Sequence, residues 1–210
     1  MKPRTRVKVC GIRTPEDAEA VARAGGDAVG LVFTERSRRF IDIASAAIIT
    51  RELPPFIASV ALFMDPDPSH VHDVVQAISP DLLQFHGQES AAFCRQFGRP
   101  YVKAIATAGV ESVSGAIAEY AGARAVLLDS HAPGEPGGSG RGIDWHGLDG
   151  DLPARWILAG GLEPGNVREA VQRLRPYAVD VSSGVESAPG IKDPERIKAF
   201  IDEVRHADHG

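Results

Sequence analysis

The stretch VKVCGIRTPEDAEAVARAGGDAVGLVF, residues 7–33, holds two hydrophobic periods in succession. Val7-Lys8-Val9-Cys10 is a short β-prone run ended by Gly11. Thr14-Pro15-Glu16-Asp17 then reads as a helix start: a capping residue, proline at the first position and acids in the first turn. Ala18, Val21 and Ala22 form its apolar face, and Gly25-Gly26 stops it. Ala28-Val29-Gly30-Leu31-Val32-Phe33 is a continuous apolar run of strand length. Such runs suit strands covered on both faces, as in a parallel sheet.

The same β–α unit recurs along the chain. Helix 43–51 precedes strand 57–63, helix 68–78 precedes strand 82–85, and helix 90–97 precedes strand 101–105. Helix 110–120 leads to strand 125–128. A Gly/Pro-rich segment and a brief helical stretch near Trp145 lead to strand 156–158. Helix 164–174, strand 178–181 and helix 194–204 complete the series. Eight units in 210 residues allow about 26 residues each, which fits a βα unit with short loops. The pattern predicts an α/β fold, a single-domain (βα)8 TIM barrel spanning residues 1–210, with an open doubly wound sheet as the alternative.

Composition narrows the function classes. Apolar residues make up 43% and charged residues 24%, which excludes a disordered chain. Lysine plus arginine total 23 against 28 acids, a net charge of −5, and basic residues gather only around Arg36–Arg39. Nucleic acid is therefore not an expected partner. No apolar run approaches the roughly 18 residues that would span a bilayer, so no membrane partner is expected either. Two cysteines, Cys10 and Cys94, make no disulfide framework, which points to a reducing, cytoplasmic home.

In a barrel the chemistry sits where strands end. Cys10 ends strand one, where a thiol serves as base or nucleophile once ionised, given nearby positive charge or a helix N-terminus; a buried inert cysteine is the competing reading. Cys94, mid-helix, is explained by packing. Asp129 follows four apolar residues at the end of strand six. Apolar walls would raise its pKa and suit it to general acid work, although a turn cap is the alternative. Arg36, Arg38 and Arg39 follow strand two and suit a carboxylate or phosphate, two of the three being expected to face solvent. His86 lies at the mouth without a partner evident in the sequence. His70 and His72 do not share a helix face, and His206 and His209 lie on a frayed tail, so no metal site is predicted. Gly160, Gly161, Ser183 and Gly184 follow strands seven and eight, where backbone N–H groups of such loops commonly bind phosphate. The Gly137–Gly140 run adds a donor-rich loop, and Asp180 reads as structural, pairing with the backbone of the phosphate loop.

These residues resemble the phosphoribosylanthranilate isomerase family of tryptophan biosynthesis. The shared pieces are Val9-Cys10-Gly11-Ile12, Gly26-Asp27-Ala28-Val29-Gly30-Leu31-Val32-Phe33, Ser37-Arg38-Arg39-Phe40 and Leu83-Gln84-Phe85-His86-Gly87. They continue with Leu127-Leu128-Asp129, Gly137-Gly138-Ser139-Gly140, Leu158-Ala159-Gly160-Gly161-Leu162 and Val179-Asp180-Val181-Ser182-Ser183-Gly184-Val185-Glu186. The resemblance implies an Amadori rearrangement of N-(5-phosphoribosyl)anthranilate to 1-(o-carboxyphenylamino)-1-deoxyribulose 5-phosphate, with no cofactor and no metal. It implies Cys10 as general base, Asp129 as general acid and Arg39 against the anthranilate part. Gly160, Gly161, Ser183 and Gly184 would hold phosphate, and His86, Asp180 and Ser182 complete the expected substrate-facing set. The implied ligand is a small phosphosugar, handled by a monomer or homodimer. The histidine-pathway sugar isomerase is the nearest rival, but that family uses an aspartate where this chain has Cys10 and resembles a two-fold repeat. A non-catalytic phosphosugar-binding barrel would keep the glycine loops and need neither Cys10 nor Asp129.

Overall fold

A computed structural model describes residues 4–107, 113–129, 152–153 and 155–209. Eight parallel strands close into a barrel in chain order: β1 (Arg6–Cys10), β2 (Ala28–Val32), β3 (Ala58–Phe63), β4 (Leu82–Phe85), β5 (Tyr101–Ala106), β6 (Ala125–Asp129), β7 (Trp156–Ala159) and β8 (Ala178–Val181). Closure is made by β8 against β1, with Lys8 opposite Asp180 and Val9 opposite Val181. Outside lie α1 (Pro15–Ala24), α2 (Ile43–Glu52), α3 (Pro68–Ile78), α4 (Ala91–Arg95), α5 (Val113–Glu119), α6 (Val167–Leu174) and α7 (Pro194–His209). The open sheet is thereby excluded. The predicted helical stretch near Trp145, the Gly137–Gly140 run and the first residues of helix 110–120 lie outside the described residues.

Strand alternation sorts the side chains into two populations. Val7, Val9, Val29, Leu31, Phe63, Phe85, Val126, Leu158 and Val179 face outward into one continuous core beneath the helices. Phe33, Phe63 and Phe85 stack along it with ring centroids 5.6 and 6.1 Å apart. The opposite faces fill the barrel itself, with Val102, Ala104, Leu127 and Ala159 in one cluster and Cys10, Val32 and Leu62 in another. Helix starts follow local chemistry: the side chains of Thr14, Asp42, Asp67 and Ser90 each accept from a backbone N–H of the first turn.

Several boundaries differ from expectation. Helix 90–97 shrinks to Ala91–Arg95: Ser90 is its cap, and the Gln96 N–H turns back to the Phe93 carbonyl in a tightened last turn. Helix 164–174 starts only at Val167, since Asn166 folds back to donate to the Gly161 carbonyl and accept from the Glu163 N–H. The supposedly frayed tail with His206 and His209 is helix. Val204 and Ala207 are buried, and the Asp208 carboxylate accepts from the Thr5 N–H (2.8 Å) and hydroxyl (2.7 Å), tying the two chain ends together. A hairpin unforeseen in the sequence, β9 (Glu186–Ala188) with β10 (Ile191–Lys192), turns at Gly190, whose φ of +81° favours glycine.

Candidate active site

Cys10 and Asp129 are the last residues of β1 and β6, so both close a strand at the same rim of the barrel. Cys10 is buried against Val32 and Leu62, and its carbonyl accepts from the Ser182 hydroxyl at 3.0 Å. Two residues deeper, the Lys8 ammonium donates to both carboxylate oxygens of Asp180 at 2.8 and 3.0 Å, with both side chains under a tenth exposed. Asp180 therefore pairs with a lysine side chain rather than with the phosphate-loop backbone, because parallel register sets it directly across from Lys8 in the barrel interior. Burial pushes the Cys10 thiol above its ordinary value. Lys8 and Lys192 pull it down and Asp180 pushes it further up, leaving the neutral thiol as the resting form.

At the other carboxylate, the His86 ring stands 3.3 Å from Asp129, Nε2 to Oδ2. Its Nδ1 lies 3.3 Å from the Gln84 side-chain nitrogen. The ring is thus held between Gln84 and Asp129. His86 thus has a partner that the sequence did not disclose. Behind it, buried Glu89 accepts from the Asp65 and Gly87 N–H groups and from the Lys103 ammonium at 3.0 Å, which braces the loop that carries His86.

Of the arginines after β2, Arg36 and Arg38 are exposed. Arg39 is mostly covered. Its guanidinium grips Glu186 through two bonds of 2.6 and 2.9 Å, and its stem crosses Gly11, where a Cβ would meet Arg39 Cδ at 2.6 Å. Glu186 also accepts from Lys192 (2.8 Å) and the Gly190 N–H (3.2 Å), and Lys192 donates onward to the Ser182 carbonyl (3.0 Å). Burial opposes charge on Glu186, but the bonds from Arg39 and Lys192 prevail and hold its carboxyl below the ordinary range.

The loops after β7 and β8 meet backbone to backbone. Gly160 and Gly161 have φ of +88° and +61°, and any side chain at Gly184 would collide with the Leu162 carbonyl. Ser183–Val185 forms one 3-10 turn opening just after Ser182. Such paired glycine turns present N–H groups to an anion without side-chain obstruction. The structure thus gathers the predicted residues into three groups: Cys10 with Ser182 and Asp180, Asp129 with His86, and Gly160 and Gly161 with the turn of Ser183 and Gly184. Arg39 stands on Glu186. Sequence reasoning missed Lys8, Lys192 and the role of Glu186. The available signal was a charged residue inside an otherwise apolar strand, Lys8 in β1 and Asp180 in β8, of opposite sign.

A buried thiol and a carboxylate at one rim, beside two closely packed glycine-bearing turns, mark the mouth of a (βα)8-barrel enzyme. The profile of the N-(5'-phosphoribosyl)anthranilate (PRA) isomerase family matches residues 7–203. An N-(5'-phosphoribosyl)anthranilate isomerase from Thiobacillus denitrificans is 48% identical over 200 residues, covering 95% of this chain and 98% of the relative. The crystal structure of phosphoribosyl anthranilate isomerase from Thermotoga maritima superposes with a TM-score of 0.87 at 39% identity, covering 96% of this chain and 99% of that one. A phosphoribosyl anthranilate isomerase in complex with reduced 1-(o-carboxyphenylamino)-1-deoxyribulose 5-phosphate gives a TM-score of 0.83 at 36% identity, with 96% and 99% coverage. The chain belongs to the N-(5'-phosphoribosyl)anthranilate isomerase family.

Proposed function

We propose that the rim of this barrel performs the family's rearrangement of N-(5'-phosphoribosyl)anthranilate in tryptophan biosynthesis, with Cys10 as general base and Asp129 as general acid. The observation that carries the reading is that these two groups end β1 and β6 on one rim, in environments of different kind. Protonated Asp129 gives its proton to the furanose ring oxygen. The bond from that oxygen to C1′ breaks and leaves an iminium at C1′. The Cys10 thiolate then removes the C2′ proton, made acidic by the adjacent iminium. The enolamine so formed gains a proton at C1′ and loses its C2′ hydroxyl proton, which leaves the ketone.

The phosphate end rests on Gly160, Gly161, Ser183 and Gly184, and Arg39 addresses the anthranilate carboxylate at the other end. His86, Asp180 and Ser182 face the sugar between them. Because the chain carries −5 overall, local donors rather than the net field must capture a substrate that bears both a phosphate and a carboxylate. No cofactor or metal enters these steps. We read residues 1–210 as one cytoplasmic isomerase domain, acting as a monomer or homodimer on a small phosphosugar.

The test generates phosphoribosylanthranilate in situ and follows the loss of its fluorescence. The wild-type protein should consume it rapidly, and Cys10→Ala and Asp129→Asn should be nearly silent while remaining folded. No loss with folded wild-type protein refutes the activity. Sustained turnover by either variant refutes that residue's role.

A further inference from the structure

The mechanism above uses a thiolate, yet the barrel interior disfavours one. Gly30 on β2 shows what offsets this. A Cβ built at Gly30 would lie 2.7 Å from Cys10 Sγ and 3.0 Å from Lys8 Nζ. Thiol and ammonium therefore flank a single point on the barrel wall, no farther apart than the sum of those distances, with only a glycine backbone beside the gap. The pairing register places Cys10 opposite Gly30. Lys8 is buried, and its ammonium pairs with the Asp180 carboxylate.

We propose that Lys8 is the positioning cation of the base: its ammonium, locked in place by Asp180, stabilises the Cys10 thiolate, and Gly30 keeps the space between them open. The proposal rests on the reading of Cys10 as base. The charged groups acting on Cys10 are Lys8 on its own strand, Asp180 from β8 and Lys192 from β10; β2 contributes Gly30, which has no charge. Of the two cations, Lys8 acts more strongly on the thiol, and Lys192 is already committed to Glu186 and Ser182. Asp180 has a double effect. It opposes the thiolate directly, and it holds the Lys8 ammonium charged against the cost of burial. Removal of Asp180 together with Lys8 should therefore harm the thiolate less than removal of Lys8 alone.

The experiment titrates Cys10 directly by thiolate absorbance at 240 nm, as a difference against Cys10→Ala so that tyrosines and Cys94 cancel. Lys8→Met should move the midpoint upward by at least one unit, which lowers the thiolate population and kcat at neutral pH at least about tenfold, with KM little changed. Lys8→Met leaves Asp180 buried without its cation, so Lys8→Met/Asp180→Asn supplies an isosteric neutral pair that keeps the fold. Its midpoint should lie between those of wild type and Lys8→Met. An unchanged midpoint in a folded Lys8 variant overturns the proposal, as does a double variant that titrates above Lys8→Met. If Cys10→Ala proves active, the base assignment fails on its own, while the titration still reports whether Lys8 acts on the thiol.

Discussion

Replacing Glu186 with glutamine tests whether the buried cation–carboxylate hub behind the rim is a single energetic unit. The side chain is 4% exposed and binds three groups: the Arg39 guanidinium through two bonds, the Lys192 ammonium and the Gly190 N–H. Lys192 is itself fully covered at its side chain. Glutamine keeps the shape and one acceptor oxygen, but it leaves an ammonium buried without a counter-charge. Breaking a buried pair in this way costs about 3–5 kcal/mol, and the retained acceptor places the loss near the lower end. For a chain of this size, roughly 3 kcal/mol lowers Tm by roughly 6–12 °C. Thermal unfolding followed by circular dichroism reads the shift. Glu186→Gln/Lys192→Met should recover part of it, because removing both partners removes the stranded charge. A loss below about 1 kcal/mol, or a double variant no better than the single one, would refute the hub.

The same carboxyl carries a pH signature. Its folded pKa is depressed, so its contribution is present above the unfolded value of about 4.3 and fades as pH falls through the lower folded value. The stability gap between wild type and Glu186→Gln should therefore narrow in that acid window, as denaturant titrations at stepped pH would show; a gap that widens on acidification contradicts the sign. Two residues before this carboxyl, Gly184→Ala forces a Cβ into the Leu162 carbonyl and pushes the two glycine loops apart. Its KM should rise at least tenfold with a smaller change in kcat, and steady-state kinetics on the phosphoribosyl substrate showing an unchanged KM would remove Gly184 from the phosphate cradle.

The barrel was legible because its strands are covered on both faces. Ala28–Val32 is apolar throughout and Ala58–Phe63 is apolar but for Ser59, and each is followed by a helix start with its own cap, at Asp42 and Asp67. What escaped was set by contacts between distant parts of the chain. The last helix continues through a polar sequence because Val204 and Ala207 are buried and Thr5, more than 200 positions earlier, donates to Asp208. Helix α6 starts late because the Asn166 side chain is engaged with the loop rather than with a helical N–H. The hairpin β9–β10 has strands of three and two residues, too short for any hydrophobic period to emerge.

The site was legible where the residue type is unusual for its place, as with a cysteine and an aspartate at strand ends, a glycine pair after strand seven and a Ser-Gly turn after strand eight. Its charged interior was not. Val7-Lys8-Val9-Cys10 reads only as a short β-prone run, and nothing in it says which way Lys8 faces. In a closed barrel the second face is the inside, and the partner that makes it tolerable, Asp180, is 172 residues away. Buried ion pairs of this kind roughly break even against apolar residues of the same volume, so stability alone gives no reason to retain them. Lys8–Asp180 lies directly beneath Cys10, and Lys192–Glu186 stands behind Arg39 and Ser182. Both pairs hold a charge at a fixed point next to a group proposed to touch substrate. Preorganised charge of that sort is costly to build and needs no rearrangement during reaction. The physical case for these pairs therefore rests on the chemistry of the rim above them, and variants that keep the fold while moving the Cys10 titration measure it directly.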